Sequence, residues 1–253
     1  MLPQYIHWNL NPVICAIGGK DIRWYALFMG VALVFAWFFA RWLGRREGAP
    51  RSEVVQVVFW MAVGMFVGGK LGHRLLFNTG SFSGFSSFGC TAGILLATWL
   101  YSAIEGRKSD MTFFWILDRV LLFAPFGCVL VRLGNFCNSE LYGIPTSLPW
   151  GVVFGRLGDD EPRHPVQLYE AAAFLLLGLA MLWLYLKRSD RLPRGFLSGL
   201  LFVAAAAIRF LMEGLKDLDG SVARILCIFL FIMGAGTLVY SLIHRVPSKL
   251  RQE

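Results

Sequence analysis

Apolar runs long enough to cross a bilayer recur along the whole chain, separated by short basic loops, and that alternation leaves few folds open. A helix needs roughly 20 residues to span the hydrocarbon, and it satisfies every backbone hydrogen bond within one segment. By that measure the sequence predicts about seven spans, around 24–43, 54–76, 88–104, 111–131, 166–187, 195–213 and 223–244. Lys70, His73 and Arg74 close the second run and Arg209 and Glu213 the sixth, so both are expected to reach past the bilayer. With 57% hydrophobic and 16% charged residues and a mean hydropathy of +0.59, the chain holds more apolar surface than one soluble core can hide. The expected fold class is an all-α integral membrane protein, a single domain over 1–253 with no linker or low-complexity tract.

Lys and Arg set the orientation. One set of loops holds Arg41, Arg45, Arg46 and Arg51, then Arg107 and Lys108, then Lys187, Arg188, Arg191 and Arg194, and finally Arg245, Lys249 and Arg251. These belong to the cytoplasm, which puts the N-terminus and the 132–166 segment outside. The net charge of +8 therefore reads as membrane anchoring. Its cations are spread over separate loops with no groove-reading motif, so no nucleic-acid partner is expected. Met1–Pro12 has no basic n-region and no small-residue cleavage site, and the first span is expected to remain in place. The five cysteines, Cys15, Cys90, Cys128, Cys137 and Cys227, show no metal-ligand spacing and read as small packing residues. Neither a metal nor a cofactor is expected.

The sizeable extramembrane piece is 138–165, a cap between spans four and five, punctuated by Gly143, Pro145, Pro149, Gly155, Gly158 and Pro162. Within it Leu148–Phe154 reads as a short strand or interfacial stretch, with Trp150 at the headgroup level.

Polar residues beside the apolar runs fall into few groups, and each costs about 3 kcal/mol or more if left unused near hydrocarbon. Arg132-Leu-Gly134-Asn135-Phe-Cys-Asn138-Ser-Glu140 crowds polar groups into nine residues. Satisfied helix-end groups are the bland reading of that stretch, and a binding site the favoured one. Arg209 and Glu213 stand four apart, Gln167 and Glu170 three apart, Lys70 and Arg74 four apart, each pair on one helix face. For Arg209 and Glu213 a self-neutralising ion pair and a functional pair weigh equally. Asp118 and Arg119 read as structural partners of neighbouring helices, Lys70 and Arg74 as interfacial, His73 as a hydrogen-bonding residue. Arg163-His164-Pro165-Val-Gln167-Leu-Tyr169-Glu170 adds a further cation, imidazole and carboxylate where the cap re-enters the membrane. Pro165 suits the first turn of the fifth helix, and one polar cavity is expected to collect these groups. Guanidinium forks match phosphate, so Arg132 and Arg209 suit a phospholipid headgroup while the spans hold its acyl chains.

These residues resemble the phosphatidylglycerol–prolipoprotein diacylglyceryl transferases of bacteria. The likeness runs through Asn11-Pro12-Val-Ile, Ile22-Arg23-Trp24-Tyr25, Gly72-His-Arg74, Arg132-Leu-Gly-Asn135, Asn138-Ser-Glu140-Leu-Tyr-Gly143, Arg163-His-Pro165, Gln167-Leu-Tyr169-Glu170 and Arg209-Phe-Leu-Met-Glu213. It implies a seven-helix inner-membrane enzyme with a periplasmic N-terminus. Such an enzyme moves the diacylglyceryl group of phosphatidylglycerol onto the lipobox cysteine of a prolipoprotein signal peptide, forming a thioether and releasing glycerol phosphate. The reacting cysteine then belongs to the substrate. By motif position the resemblance implies that Arg132 and Arg209 hold the phosphate and leaving group. Asn135, Glu140 and Gly143 would shape the site, Tyr25 would supply a hydroxyl, and Glu213 would orient Arg209. Asn138, Arg163, His164 and Glu170 complete the expected substrate-binding set. The expected partners are phosphatidylglycerol, prolipoprotein signal peptides and membrane lipids.

One departure stands out. The family's third span carries a histidine before a glycine pair, whereas this chain reads Ser87-Phe88-Gly89-Cys90-Thr91-Ala92-Gly93. Phe88 cannot take a proton. Either that histidine is dispensable, or His164, Glu140 or Tyr25 replaces it, or the chain is a divergent paralogue with weakened or altered activity. The rival class is a non-enzymatic lipid-binding protein or a transporter, but no duplicated halves of the kind many carriers show are visible in the sequence.

Overall fold

The computed structural model describes residues 5–77, 86–106, 111–216 and 221–245. Strands β1 (Ile6–Trp8), β2 (Val13–Ile17) and β3 (Lys20–Arg23) precede helices α1 (Trp24–Glu47), α2 (Arg51–Phe77), α3 (Ser87–Ile104), α4 (Phe113–Leu121) and α5 (Ala124–Cys137). Strands β4 (Val152–Phe154) and β5 (Pro162–Arg163) then lead to α6 (Val166–Arg188), α7 (Phe196–Glu213) and α8 (Ser221–His244). Phe88 lies in α3, but its side chain is outside the described residues, as are Arg107, Lys108, Lys249 and Arg251.

Five helices among the described residues are long and apolar enough to cross a membrane, Trp24–Glu47, Arg51–Leu75, Val166–Arg188, Phe196–Glu213 and Ala223–His244. Only 11–39% of the residues in these spans are buried, so most of their apolar surface faces outward, as lipid-facing helices require. Phe59, Leu176 and Ile243 are 66%, 68% and 70% exposed. The chain is a multi-pass membrane protein.

Among the described residues the expected count of seven is not confirmed. The fourth run, read as one span over 111–131, is a pair of helices bent by 42° between Leu121 and Ala124, which makes six spans if the pair counts as one. Pro125 sits in the first turn of α5, where it has no backbone N–H to continue the preceding ladder, so the helix restarts there. The third run is helical over Ser87–Ile104, with its side chains described from Gly89 onward.

The chain forms two compact units. The first comprises Met1–Ala36, Leu122–Lys187 and Gly199–Tyr240, and the second Trp37–Leu121, Arg188–Ser198 and Ser241–Glu253.

In the second unit α2 and α3 touch backbone to backbone. A Cβ on Gly93 would lie 2.0 Å from the Gly64 carbonyl oxygen, and one on Gly89 would lie 2.1 Å from that of Gly68. Glycine is needed at these crossings, the usual device for close helix approach in lipid. Asp118 and Arg119 are structural, as the sequence indicates. The Asp118 carboxylate accepts hydrogen bonds from the Gly195 and Ser198 amides at 2.7 and 2.8 Å, capping the first turn of α7. Arg119 pairs with Glu47 at 2.9 Å and lies over the Trp115 ring at 4.5 Å.

The first unit carries the cap. β4 lies between β1, which runs parallel to it (Ile6↔Val152), and β5, which is antiparallel (Val152↔Arg163). The strand expected within 148–154 is therefore present, and β1, β2 and β3 add short strands that the sequence did not announce to an otherwise all-α membrane fold. β2 and β3 form a hairpin turning at Gly18-Gly19, whose φ values of +57° and +76° suit glycine. Phe136, Val152 and Phe154 form a buried cluster with Trp8 and Tyr142 packed on it. The Trp8 indole N–H donates to the Phe136 carbonyl at 3.1 Å, fastening the cap to the end of α5.

Candidate functional site: a cationic cluster around Glu170

Because α5 restarts at Pro125 it runs on to Cys137, and Arg132 and Asn135 sit inside its last turns rather than beyond a span. Gly134 admits Tyr25 of α1, since a Cβ there would meet the Tyr25 ring at 2.9 Å. The Asn135 side-chain oxygen accepts a hydrogen bond from Arg132 Nη1 at 3.3 Å, one helical turn away.

Glu170, in the second turn of α6, is wholly buried and gathers three cations. Arg132 Nε reaches it at 2.8 Å from α5, Arg209 Nη1 at 3.2 Å from α7, and Lys216 Nζ at 3.1 Å from the segment after α7. Glu213 pairs with Arg209 at 3.6 Å and with Lys216 at 3.4 Å. Arg132, Arg209 and Lys216 against Glu170 and Glu213 leave one positive charge in excess, and the Arg132 and Arg209 side chains keep 13% and 27% of their surface exposed. A cluster of this kind has donors for an incoming anion and the charge to favour it. Sequence reasoning missed Lys216. It lies past the apolar run, and its three-residue spacing from Glu213 was the available signal. Burial pulls its ammonium below the ordinary value, against the opposing pull of Glu170.

The loop after α5 is held under strain. Ser139 and Leu141 have φ of +55° and +57°, left-handed values that cost an ordinary residue about 1 kcal/mol or more each. Between them Glu140 faces solvent and accepts a hydrogen bond from Asn138 Nδ2 at 3.3 Å. Its carbonyl accepts from the buried Gln167 side chain at 2.6 Å. Gly143 then threads between three neighbours. A Cβ there would meet the Leu215 oxygen at 2.6 Å and His164 Cβ and Val166 Cγ2 at 2.7 Å each. Its amide donates to the His164 carbonyl at 2.9 Å, and the Ile144 amide donates to the Leu215 carbonyl at 2.9 Å, which ties down the segment bearing Lys216.

A cleft of about 410 Å³ opens beside α5, lined by Asp21, Arg23, Tyr25, Asn135, Asn138 and Glu140. Its Asn135 wall is one hydrogen bond from Arg132. The structure thus brings Tyr25, Asn135, Asn138 and Glu140 to one cleft and Arg132, Glu170, Arg209 and Glu213 to one cluster.

Arg163 and His164 lie in the cap's own network rather than in one cavity with the rest. Arg163 pairs with Asp159 at 2.9 Å and lies over the Tyr142 ring at 5.2 Å. His164 Nδ1 shares a hydrogen bond with the Tyr169 hydroxyl at 3.2 Å, which accepts another from the Trp150 indole at 2.8 Å. Pro165 immediately precedes α6, which begins at Val166.

Comparison with known proteins identifies the family. The family model described as prolipoprotein diacylglyceryl transferase matches residues 12–240. A phosphatidylglycerol–prolipoprotein diacylglyceryl transferase of Pseudomonas fluorescens is 33% identical, with 95% of this chain and 97% of the relative covered. Enzymes of the same name from Solidesulfovibrio magneticus and Bacteroides fragilis are 36% and 32% identical, with 83% and 84% of this chain and 83% of each relative covered. A match spanning the described cap, the Glu170 cluster and the cleft places the chain in the prolipoprotein diacylglyceryl transferase family.

Proposed function

We propose that this chain transfers the diacylglyceryl group of phosphatidylglycerol to the lipobox cysteine of prolipoproteins, in the bacterial cytoplasmic membrane, with its N-terminus and cap on the periplasmic side. The sulfur attacks the diacylglyceryl carbon that bears the phosphate. A C–S bond forms, the C–O bond breaks, and its electron pair leaves on glycerol phosphate. The convergence of Arg132 and Arg209, from α5 and α7, on the single carboxylate of Glu170 carries the reading. These guanidiniums, with Lys216 beside them, stabilise charge on the departing phosphate. Glu170 and Glu213 hold them at the spacing an anion needs. Arg163 and His164 brace the cap through Asp159 and Tyr169.

The thiol proton needs an acceptor other than Phe88. Glu140 shares a cleft with the Tyr25 side chain and is solvent-exposed, so it fills that role, and Asn135 and Asn138 set the cleft's polar wall. No metal or cofactor enters this scheme, and the loop charges support the orientation.

Purified protein, phosphatidylglycerol and a lipobox peptide, read by mass spectrometry, test the proposal. A diacylglyceryl mass on the peptide cysteine is expected, together with its loss in Arg132→Ala and Arg209→Ala proteins that remain folded. Lipid binding without peptide modification would favour a non-catalytic relative.

A further inference from the structure

A second cleft of about 410 Å³ adjoins the first and is lined by the Asn9–Val13 segment, Arg23 and Arg156. Arg23 is the wall that the two clefts share, the first cleft on its inner side and the second on its outer side. The two clefts differ in charge. Asp21 and Glu140 stand with Arg23 in the cleft that Asn135 and Tyr25 line, whereas the outer cleft presents Arg23 and Arg156 with no carboxylate in its lining. Both arginines are exposed, and neither lies within ion-pair distance of a carboxylate among the described residues.

The outer cleft is built on a fixed floor. The Trp24 amide donates to the Pro12 carbonyl and the Trp24 indole to the Asn11 carbonyl, both at 3.1 Å, while the Asn11 side chain accepts from the Val13 amide at 2.9 Å. Arg156 is aimed by its donation to the Asn138 carbonyl at 3.2 Å, at the end of α5. Arg23 immediately precedes α1, so this cleft lies at the head of a spanning helix, among the strands of the cap.

A lipid held by its acyl chains needs apolar walls. Leu10, Pro12 and Val13 supply part of this wall, but Asn9, Asn11, Arg23 and Arg156 line it as well, and its two cations suit an anionic polypeptide segment better than acyl chains. The acceptor polypeptide is different. Its reacting cysteine must enter the cleft bearing Tyr25 and Glu140, and the chain beyond that cysteine must leave toward the aqueous side. We infer that the outer cleft is a subsite for the extended acceptor segment on the carboxyl side of the reacting cysteine, and that Arg23 and Arg156 select acidic side chains there. This subsite rests on the transfer reading given above.

Lipobox peptides carrying either two aspartates or two lysines among the four residues after the cysteine test it, with wild-type, Arg23→Glu and Arg156→Glu proteins. Two readouts are taken: peptide KM at saturating phosphatidylglycerol, and binding of the same peptides, fluorescently labelled, to the protein in detergent. The wild type is expected to favour the aspartate peptide by about five-fold per arginine engaged, the size of an exposed ion pair. Each charge reversal is expected to move the preference toward the lysine peptide. That recovery on the lysine peptide also shows that the variant is folded.

Equal weakening of both peptides in both variants would overturn the subsite, because it means Arg156 and Arg23 only brace the fold. A rise in phosphatidylglycerol KM with peptide KM unmoved would overturn it in favour of a headgroup site. Charge-selective binding without turnover by the wild type would sink the transfer reading and leave the subsite standing. Turnover with no charge preference would do the reverse.

Discussion

Replacing Glu170 by glutamine removes one charge and almost no volume, which makes it the sharpest probe of the cationic cluster. Glu170 is wholly buried and lies 2.8, 3.2 and 3.1 Å from Arg132, Arg209 and Lys216. Without it the three cations keep only Glu213, so the local excess rises from one positive charge to two. Removing one partner from a buried ionic set costs about 3–5 kcal/mol, since the charges left behind lose their compensation. At about 2–4 °C per kcal/mol for a chain of this size, the melting temperature in detergent should fall by roughly 10 °C. Added phosphatidylglycerol should restore part of that loss, because its phosphate replaces the missing carboxylate. Transfer should fall by about 100-fold or more, because the arginines are no longer held at the reacting phosphate. Lys216→Met in the same background should cost less than it does alone, by about 1–3 kcal/mol of coupling. A melting temperature within about 2 °C of wild type, or strictly additive effects in the double variant, would refute the view of Glu170 as the cluster's organiser.

Gly143→Ala places a methyl against the Leu215 oxygen, His164 and Val166, and should destabilise the protein by about 1–3 kcal/mol and depress turnover, read by thermal melting and peptide mass. Lys216 loses its proton below the ordinary 10.5, so phosphatidylglycerol KM should begin to rise below that pH. Lys216→Arg keeps its charge and should move that rise to higher pH, and an unchanged profile would show that Lys216 does not help hold the phosphate. Gly93→Val would force α2 and α3 apart at the Gly64 carbonyl and should abolish recovery of folded protein, checked by size-exclusion chromatography.

Most helices were legible because apolar periodicity is local, and a run such as 223–244 needs no tertiary partner to declare itself. Pro125 was equally visible, yet the break before it was not drawn, because hydropathy alone runs through Leu121–Phe123 without interruption. β1 escaped notice for a different reason. Three residues at Ile6–Trp8 carry no pattern, and their partner strand lies at Val152–Phe154. The site followed the same division. Arg132, Arg209 and Glu170 announce themselves as charges near apolar runs, but only packing shows that one carboxylate joins them and adds Lys216. Arg163 and His164 looked equivalent to those residues in the sequence. Asp159 and Tyr169 engage them within the cap, and no feature of spacing foretold it.

The joint between α4 and α5 decides what the angular position of Arg132 depends on. With the ladder restarted at Pro125, that position is counted from the proline, about two turns away, and not from Phe113 at the far end of the apolar run. An extra residue inserted at Leu122–Phe123 should be absorbed by the bend. The same residue inserted between Gly127 and Val131 would swing the guanidinium by about 100° around the helix axis and carry it off Glu170. Length is therefore negotiable on one side of the proline and fixed on the other.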